Sequence, residues 1–418
     1  MFDAIVIAVA PSSTETILGL TLVERGRRMV AKAGARRVFV LDATSGESLT
    51  PWAAEIGGAD LLVVRAGDQV VHFPLVKPLL AATGSERLAI GPDGAFAGAL
   101  YVTSARVDEV VAALTASPAT ADRDLAARFT VATNVPHGDI AVHAATTKAE
   151  RKGATRMLLR LLIKQTEDSP VSKYVYRPLS RPLTRLLLRT PITANQVSYI
   201  TGIVGLLGCV LTAFASQTML IWGAAFVFLS GVIDGCDGEI SRMKLTSSPF
   251  GAWLDTIIDE VTQVTYFFAI GCHTYQHFPM KWVGASIFLG GVSFLATIYA
   301  IYFFSLVVIK QGGSQYYETD IELVDIDGTP VLRPRPKVST TPPWLAAIAQ
   351  FFLYMIRRDF INLAALFIAL FNGYAVIYGG IWFGTIVAAL ITIPAHVKLL
   401  SLIRQVRAKG AALRYLAS

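Results

Sequence analysis

The sequence predicts an α-helical integral membrane domain with six transmembrane helices, preceded by a soluble α/β domain. Of its 418 residues, 53% are hydrophobic and only 16% are charged, which is too apolar for an ordinary soluble protein. Most of the charge lies before residue 190, whereas long apolar runs dominate from Asn195 onward. Short β-branched runs alternate with helical segments in the first 140 residues, as is typical of an α/β sandwich with a mostly parallel sheet.

Six apolar stretches are long enough to cross a bilayer as helices. They cover approximately residues 195–215, 218–234, 250–272, 282–309, 360–378 and 379–400. Basic residues such as Arg189, Arg242 and Lys244 flank alternate connections, while the opposite connections contain only Lys281. Because basic residues accumulate on the cytoplasmic side of membranes, we expect both termini there, in a prokaryotic plasma membrane.

The chain is therefore expected to have three parts. Residues 1–145 form the soluble α/β domain, 146–194 a linker with an amphipathic membrane-surface helix, and 195–418 the transmembrane domain. Arg177, Arg181 and Arg185 recur at four-residue intervals and so share one face of the surface helix. The net charge of +7 is explained by such contacts with membrane lipids, and no nucleic-acid partner is expected.

The segment "DGCDGEISRMKLTSSPFGAWLDTIID" places four aspartates beside membrane-type sequence. Asp234 and Asp237 are three residues apart at the end of the second span, and Asp255 and Asp259 are four apart near the start of the third. Each pair shares a helix face, and the two spans run antiparallel, so four carboxylates converge at the cytoplasmic side. Because such a group would repel itself, we expect it to bind one or two Mg²⁺ ions.

The residues between the aspartates suit a phosphate ligand. Gly238 and Gly251 lack side chains where a ligand approaches the backbone, Ser241 is small, and Arg242 offers a fork of donors. The sequence therefore predicts a metal-bound pyrophosphate at this position.

This pattern resembles the signature of the CDP-alcohol phosphotransferase (CDP-alcohol phosphatidyltransferase) family of membrane enzymes. That signature reads D-x-x-D-G-x-x-A-R-x8-G-x3-D-x3-D, and every spacing is kept here from Asp234 to Asp259. The one departure is Ser241, where the family usually has alanine.

The resemblance implies a reaction in which a hydroxyl attacks the phosphorus of a CDP-alcohol and CMP leaves. It implies Mg²⁺, or Mn²⁺, as cofactor, with two ions bound, and a homodimer. Asp234, Asp237 and Asp255 would be the principal metal ligands, and Asp259 a further ligand or the general base. Gly238, Ser241, Arg242 and Gly251 would form the nucleotide pocket.

Three further residues have two interpretations each. Asn195 either caps the first transmembrane helix or lines the nucleotide site. Arg357 and Arg358 enter the fifth span from the cytoplasm and either bind a phosphorylated acceptor or anchor the helix to lipid.

The segment before the first span is similar to one in the family branch that makes inositol-phosphate lipids and di-inositol phosphate. In that branch a nucleotidyltransferase-like domain precedes the membrane domain, so a CDP-inositol or a CDP-diacylglycerol type of donor is implied, with an inositol phosphate or a lipid as acceptor. Here "APSSTETIL" follows the first strand and lacks the glycines and basic residues of a triphosphate loop. We interpret the α/β domain as degenerate. Its resemblance to the nucleotidyltransferase fold places Asp68 where that fold usually has a metal-binding aspartate, whereas Asp139 is either a second such ligand or, by default, an ordinary loop aspartate.

The alternative function is an ion-coupled transporter that uses the intramembrane aspartates. A transporter would carry carboxylates near the bilayer midplane and an internal repeat, which this sequence does not show. Two minor features are a possible hairpin in the polar segment 311–343, a linker or a lid, and the pair His273 and His277, which we place in an interfacial loop.

Overall fold

The structure, a computed structural model, falls into two compact units. It describes residues 1–42, 48–162, 169–310, 317–326, 329–335, 342, 344, 351, 354–355, 357–408 and 410–416. The first unit comprises Met1–Glu167, Thr184–Ile192 and Glu239–Thr246. The second comprises Asp168–Leu183, Thr193–Gly238 and Ser247–Ser418. The first unit therefore contains the α/β domain and two short segments from later in the chain.

The α/β domain is built around a six-stranded sheet. The strands of the domain, including those outside this sheet, are β1 (Phe2–Ala8), β2 (Thr16–Ile17), β3 (Leu20–Thr21), β4 (Val38–Asp42), β5 (Asp60–Arg65), β6 (Gln69–Val71), β7 (Glu86–Ile90), β8 (Phe96–Val102), β9 (Thr133–Pro136) and β10 (Val142–Ala144). The order in the main sheet is β4-β1-β5-β8-β7-β9. Three of its pairs are parallel, whereas β8 runs antiparallel to β5 and β7.

Helices cover both faces of this sheet. They are α1 (Leu22–Lys32), α2 (Leu49–Ala54), α3 (Phe73–Ala81), α4 (Val107–Ala116), α5 (Ala121–Arg128) and α6 (Lys148–Leu159). Every residue of β1 is buried. Val6 belongs to a hydrophobic core with Met29 of α1, whereas Ile5 belongs to a second core with Val110 of α4. A strand buried on both faces is typical of the centre of an α/β sheet, and the predicted α/β domain is confirmed.

Long helices dominate the rest of the chain. They are α7 (Arg177–Leu187), α8 (Ala194–Thr212), α9 (Gln217–Met243), α10 (Pro249–His277), α11 (Lys281–Phe303), α12 (Arg358–Leu370) and α13 (Tyr374–Ala408). A π-helical turn, Ser172–Tyr176, precedes α7, and another, Phe304–Ile309, continues α11.

Four helices in the described part of the chain are long and apolar enough to cross a membrane. They are Ala194–Thr212, Gln217–Met243, Lys281–Ile309 and Tyr374–Ala408. Of the other two predicted spans, α10 is 29 residues long but carries Asp255, Asp259 and Glu260. The 13 residues of α12 reach only about 20 Å, which is less than the hydrocarbon thickness. The protein thus has membrane-spanning helices, but six spans are not confirmed.

The predicted break between the last two spans is wrong. The sequence places it near residue 378, whereas the chain turns at 371–373, between α12 and α13. Asn372 adopts φ 55° and Gly373 follows it, so an Asn-Gly turn follows the helix, which ends at Leu370, eight residues before the predicted boundary.

The polar segment 311–343 contains the expected hairpin. Strand β11 (Ile321–Ile326) pairs antiparallel with β12 (Thr329–Pro334), and Ile326 lies opposite Thr329. Residues 311–316, 327–328, 336–341 and 343 lie outside the described residues, as do 163–168 of the predicted linker. The described part of that linker includes α6, which begins with a capping box formed by Thr147 and Glu150.

Helix α8 packs closely on its neighbours through three glycines at three-residue spacing. A Cβ added at Gly202 would lie 3.1 Å from Ile258, and one at Gly205 would lie 2.7 Å from Thr262, both in α10. A Cβ at Gly208 would lie 2.8 Å from the backbone oxygen of Gly223 in α9. Small residues at such positions allow membrane helices to approach closely, and here they hold α9 and α10 against one helix.

We expect Gly208→Val to lower the stability of the folded protein by about 1–3 kcal/mol, because backbone atoms of α9 cannot move aside for the new side chain. Thermal unfolding of detergent-purified protein measures the effect. Gly379→Val in α13 is the matched control, since a Cβ there has no neighbour within 4 Å. Equal unfolding temperatures for the two variants would contradict the packing argument.

Candidate active site

Two helices carry the four aspartates of the motif. Asp234 and Asp237 lie one turn apart in α9, and Asp255 and Asp259 lie one turn apart in α10. The start of α10 is set by Ser248, whose hydroxyl accepts the backbone N–H of Gly251 at 3.0 Å, with proline at the first helical position. The carboxylates therefore project from regular helices rather than from a loop.

Three of these carboxylates form a tight group. One oxygen from each of Asp234, Asp237 and Asp255 lies within 4.8 Å of the others, and this is the only such group of potential metal ligands among the described residues. Asp237 is buried and accepts hydrogen bonds from the Ser198 hydroxyl and from the backbone N–H of Gly238. Close carboxylates repel unless a cation joins them, and an all-oxygen set of this size fits a hard divalent cation such as Mg²⁺.

The fourth aspartate has a different partner. The guanidinium of Arg358, at the start of α12, forms ion pairs with both Asp259 and Asp234, the latter at 2.6 Å. Its neighbour Arg357 is half exposed and pairs with Asp359 at 3.7 Å. Arg358, far away in sequence, thus supplies the positive charge next to the acidic group, whereas Arg357 points to a different carboxylate.

A polar cavity of about 120 Å³ borders this ion pair. Asp234 and Arg358 line it together with Arg177, Ser180 and Asn362. The lining combines two arginines with two carboxylates, Asp234 and Asp359, and small polar groups, which suits a polyhydroxylated ligand that carries an anionic group.

The nucleotide-pocket candidate Asn195 lies next to the motif glycine. Thr193 caps α8 by accepting the backbone N–H of Gln196, so the capping interpretation of Asn195 is wrong. Asn195 lies inside the first turn, and its side-chain oxygen is 3.0 Å from where a Cβ of Gly251 would be. A larger residue at position 251 would therefore meet Asn195.

Ser241 and Arg242 lie one turn beyond Gly238 on the same helix. They occupy the last turn of α9 and belong to the unit that contains the α/β domain, whereas Gly238 and the aspartates belong to the other unit.

Three polar residues near the site were not predicted from the sequence. Ser198 follows Asn195 by three residues and shares its helix face, which was an available signal. Asn362 is a polar residue in an apolar stretch, one turn after Arg358. Arg177 was interpreted only as a lipid anchor, and nothing in its spacing distinguishes it from Arg181 and Arg185.

The remaining candidates form no group of potential metal ligands among the described residues. Asp68 pairs with Arg65 at 3.1 Å, and neither Asp68 nor Asp139 belongs to a cluster of metal-type ligands among the described residues. His273 and His277 lie in the last turns of α10 rather than in a loop, because the helix continues to His277. Their rings stack at 4.8 Å, and His277 also stacks on Tyr374.

The fold and the site define a membrane protein with a carboxylate group suited to divalent cations. Residues 191–324, about a third of the chain, match the family model described as CDP-alcohol phosphatidyltransferase. The matched segment contains all four motif aspartates, and the family resemblance of the motif is confirmed.

Three curated relatives are similar to parts of the chain. "Bifunctional IPC transferase and DIPP synthase" of Thermococcus kodakarensis is 30% identical over 35% of this chain and 33% of its own. The protein of the same name from Rubrobacter xylanophilus is 45% identical over 22% of this chain and 20% of its own length. "Phosphatidylinositol phosphate synthase" of Corynebacterium glutamicum is 32% identical over 21% of this chain and 40% of its own length. The chain thus matches at most 40% of the length of these relatives.

Among solved structures, a putative glucose-1-phosphate thymidylyltransferase from Bacillus anthracis matches 38% of this chain and 95% of its own with 10% identity. The TM-score of 0.27 is too low to support a common fold. The resemblance of the α/β domain to nucleotidyltransferases stays a prediction.

Proposed function

We propose that this protein transfers a substituted phosphate group from a CDP-alcohol to an acceptor hydroxyl, forming a phosphodiester and releasing CMP. The observation that carries the proposal is the group of three carboxylates within 4.8 Å, at the spacing of the family signature and inside the segment that matches the family model. The relatives are named as synthases and transferases, which supports an enzyme over the alternative of an ion-coupled transporter.

Asp234, Asp237, Asp255 and Asp259 would hold Mg²⁺, or Mn²⁺, with two ions bound. Bound divalent cations would neutralise the pyrophosphate and stabilise the attacking and leaving oxygens of the transfer. Ser198 and the backbone N–H of Gly238 orient the Asp237 carboxylate through their hydrogen bonds, as supporting groups do at metal sites.

The nucleotide would lie against Gly238, Ser241, Arg242, Gly251 and Asn195. Glycine at 251 leaves the space beside Asn195 open, so that a ligand can approach the backbone there. The transfer forms a bond between the acceptor oxygen and the phosphorus that carries the alcohol. The bond from that phosphorus to the oxygen of CMP breaks, and CMP leaves with the electron pair.

Asp259 is our candidate for the base that takes the proton of the acceptor hydroxyl. Its ion pair with Arg358 orients the carboxylate, and a base must be held within hydrogen-bond reach of the proton that it takes. Arg358 would also bind the phosphate of a phosphorylated acceptor in the cavity that it shares with Arg177. The contact of Arg357 with Asp359 makes it the weaker of the two acceptor-binding candidates.

The names of the relatives suggest the alcohol. Several of these names include the words inositol phosphate or the abbreviations IPC and DIPP. We therefore propose that the donor or the acceptor carries an inositol group. The donor is CDP-inositol or CDP-diacylglycerol in type, and the acceptor is an inositol phosphate or a lipid. Another protein would supply the CDP-alcohol, because the segment after β1 lacks a triphosphate loop.

We further propose that six helices span a prokaryotic plasma membrane, with both termini and the active site on the cytoplasmic side, and that the protein works as a homodimer. The distribution of basic residues between the helices supports the orientation.

Purified protein incubated with Mg²⁺ and a panel of CDP-alcohols and acceptors tests the proposal. We expect CMP release with one donor class and a phosphodiester product identified by mass spectrometry. Absence of CMP release across the panel, with correctly folded protein, would overturn the assignment.

A further inference from the structure

Two backbone hydrogen bonds close the end of α9. The backbone N–H of Thr246 donates to the carbonyl of Ser241 at 2.9 Å, and that of Leu245 donates to the carbonyl of Arg242 at 3.4 Å. Leu245 adopts the left-handed conformation with φ 55°. This hydrogen-bond pattern is a Schellman motif, and it fixes the backbone of the two residues that we assign to the nucleotide pocket.

Leucine is an unexpected residue at a left-handed helix end, where glycine is usual because it has no Cβ. The side chain of Leu245 is buried at 4% exposure in the hydrophobic core of the α/β domain, which also contains Val6 and Met29. Burial of the apolar side chain in this core offsets the steric cost of the left-handed backbone. The α/β core therefore holds the helix end in place.

Two arginines of α1 bind the last carbonyls of α9. Arg25 donates to the carbonyl of Met243 at 2.9 Å, and Arg28 donates to the carbonyl of Lys244 at 2.9 Å. Cations are favourable at a helix C-terminus, where unpaired carbonyls concentrate negative charge. Arg25 is almost completely buried, and its second contact is the carbonyl of Ile17 at 3.1 Å. Both contacts lie within the first compact unit.

Lys244 extends this set of contacts to the segment before α8. Its ammonium donates to the carbonyls of Thr190 and Ile192 at 2.9 and 2.8 Å. A Cβ at Gly19, in the β2–β3 turn, would lie 2.5 Å from the carbonyl oxygen of Leu188 and 2.9 Å from the Lys244 side chain. The α/β domain, the end of α9 and residues 188–192 are thus packed as one body.

We propose that the α/β domain acts as a brace for the nucleotide pocket, with Arg25 and Arg28 as positioning residues that hold Ser241 and Arg242 through the carbonyl end of α9. The inference rests on the proposed function, because it assigns these two residues to the nucleotide. It gives the α/β domain a role that needs no nucleotidyltransferase activity of its own. The chemistry of transfer stays with the aspartates.

Two neighbouring arginines allow a matched test in the full-length protein. Arg27 and Arg28 both pair with Glu24, and Arg28 also donates to the Lys244 carbonyl at 2.9 Å. We expect Arg28→Gln to accelerate amide hydrogen exchange of residues 241–246 by about 5-fold or more. Arg27→Gln, at an exposed position, should leave that exchange unchanged. Equal exchange in the two variants would overturn the brace, whether or not the protein is active.

The kinetic readout separates positioning from general destabilisation. Arg28→Gln should raise the KM for the CDP-alcohol by about 2-fold to 10-fold with little change in kcat at saturation. Arg28→Lys keeps a cation at the helix end and should restore most of the loss. A drop in kcat alone, or no recovery with lysine, would contradict the proposal. If the wild-type protein releases no CMP, the proposed function is wrong. The hydrogen-exchange comparison still shows whether Arg28 holds the end of α9.

Discussion

Replacing Asp255 with asparagine is expected to lower Mg²⁺-dependent CMP release by about 10²-fold to 10⁴-fold, which is the scale of losing several kcal/mol of charge stabilisation at a metal site. The amide has nearly the same size but no negative charge. A carboxylate oxygen of Asp255 lies within 4.8 Å of one from each of Asp234 and Asp237, so the substitution removes one of the negative charges that would hold the cation. Initial rates of CMP release at saturating Mg²⁺ measure the effect.

The matched control is Glu260→Gln in the same helix. Glu260 is a carboxylate that accepts a hydrogen bond from Tyr302 at 3.1 Å and is not in the acidic group. We expect its activity to stay within about 3-fold of the wild type, as for a substitution away from the reacting atoms. Full activity in Asp255→Asn, or equal loss in both variants, would contradict the assigned site.

Replacing Arg358 with glutamine should raise the KM for a phosphorylated acceptor by about 10-fold to 100-fold, since a charge-assisted hydrogen bond contributes about 1.5–3 kcal/mol. The KM for the CDP-alcohol should change less, because the arginine faces the cavity and not the nucleotide residues in our assignment. Steady-state kinetics with each substrate varied in turn gives the two constants.

Arg357→Gln is the control for this second prediction, because Arg357 is adjacent in sequence but pairs with Asp359. It should leave both constants close to wild type. If Arg358→Gln changed the KM values for donor and acceptor equally, a role in holding Asp234 and Asp259 would explain the data without acceptor binding.

The acidic group could be predicted because all of its determinants are local. The spacing of Asp234, Asp237, Asp255 and Asp259 sets the helix faces, and one short connection joins the two helices. Arg358 is 99 positions after Asp259, so its double ion pair depends on how α12 meets α9 and α10. An arginine at this position is equally well explained as a lipid anchor on the cytoplasmic side. Only the folded chain distinguishes lipid anchoring from a role in the site.

The α/β domain was predictable in class but not in detail. Alternating strands and helices indicate the class, whereas the reversal of β8 depends on pairing between segments distant in sequence. The left-handed conformation of Leu245 could not be predicted from the sequence either. Glycine is the usual signal for a left-handed helix end, and the leucine there is stabilised by a core formed mainly by residues 2–142.

The central claim is that the three clustered carboxylates bind divalent cations together with the CDP moiety. Anomalous diffraction from crystals of the protein with Mn²⁺ and CDP tests it most directly. We expect an anomalous peak about 2.0–2.3 Å from carboxylate oxygens of Asp234, Asp237 and Asp255, with the pyrophosphate on the same ion. A CDP molecule bound elsewhere, or well-ordered aspartates without a peak at saturating Mn²⁺, would contradict the account.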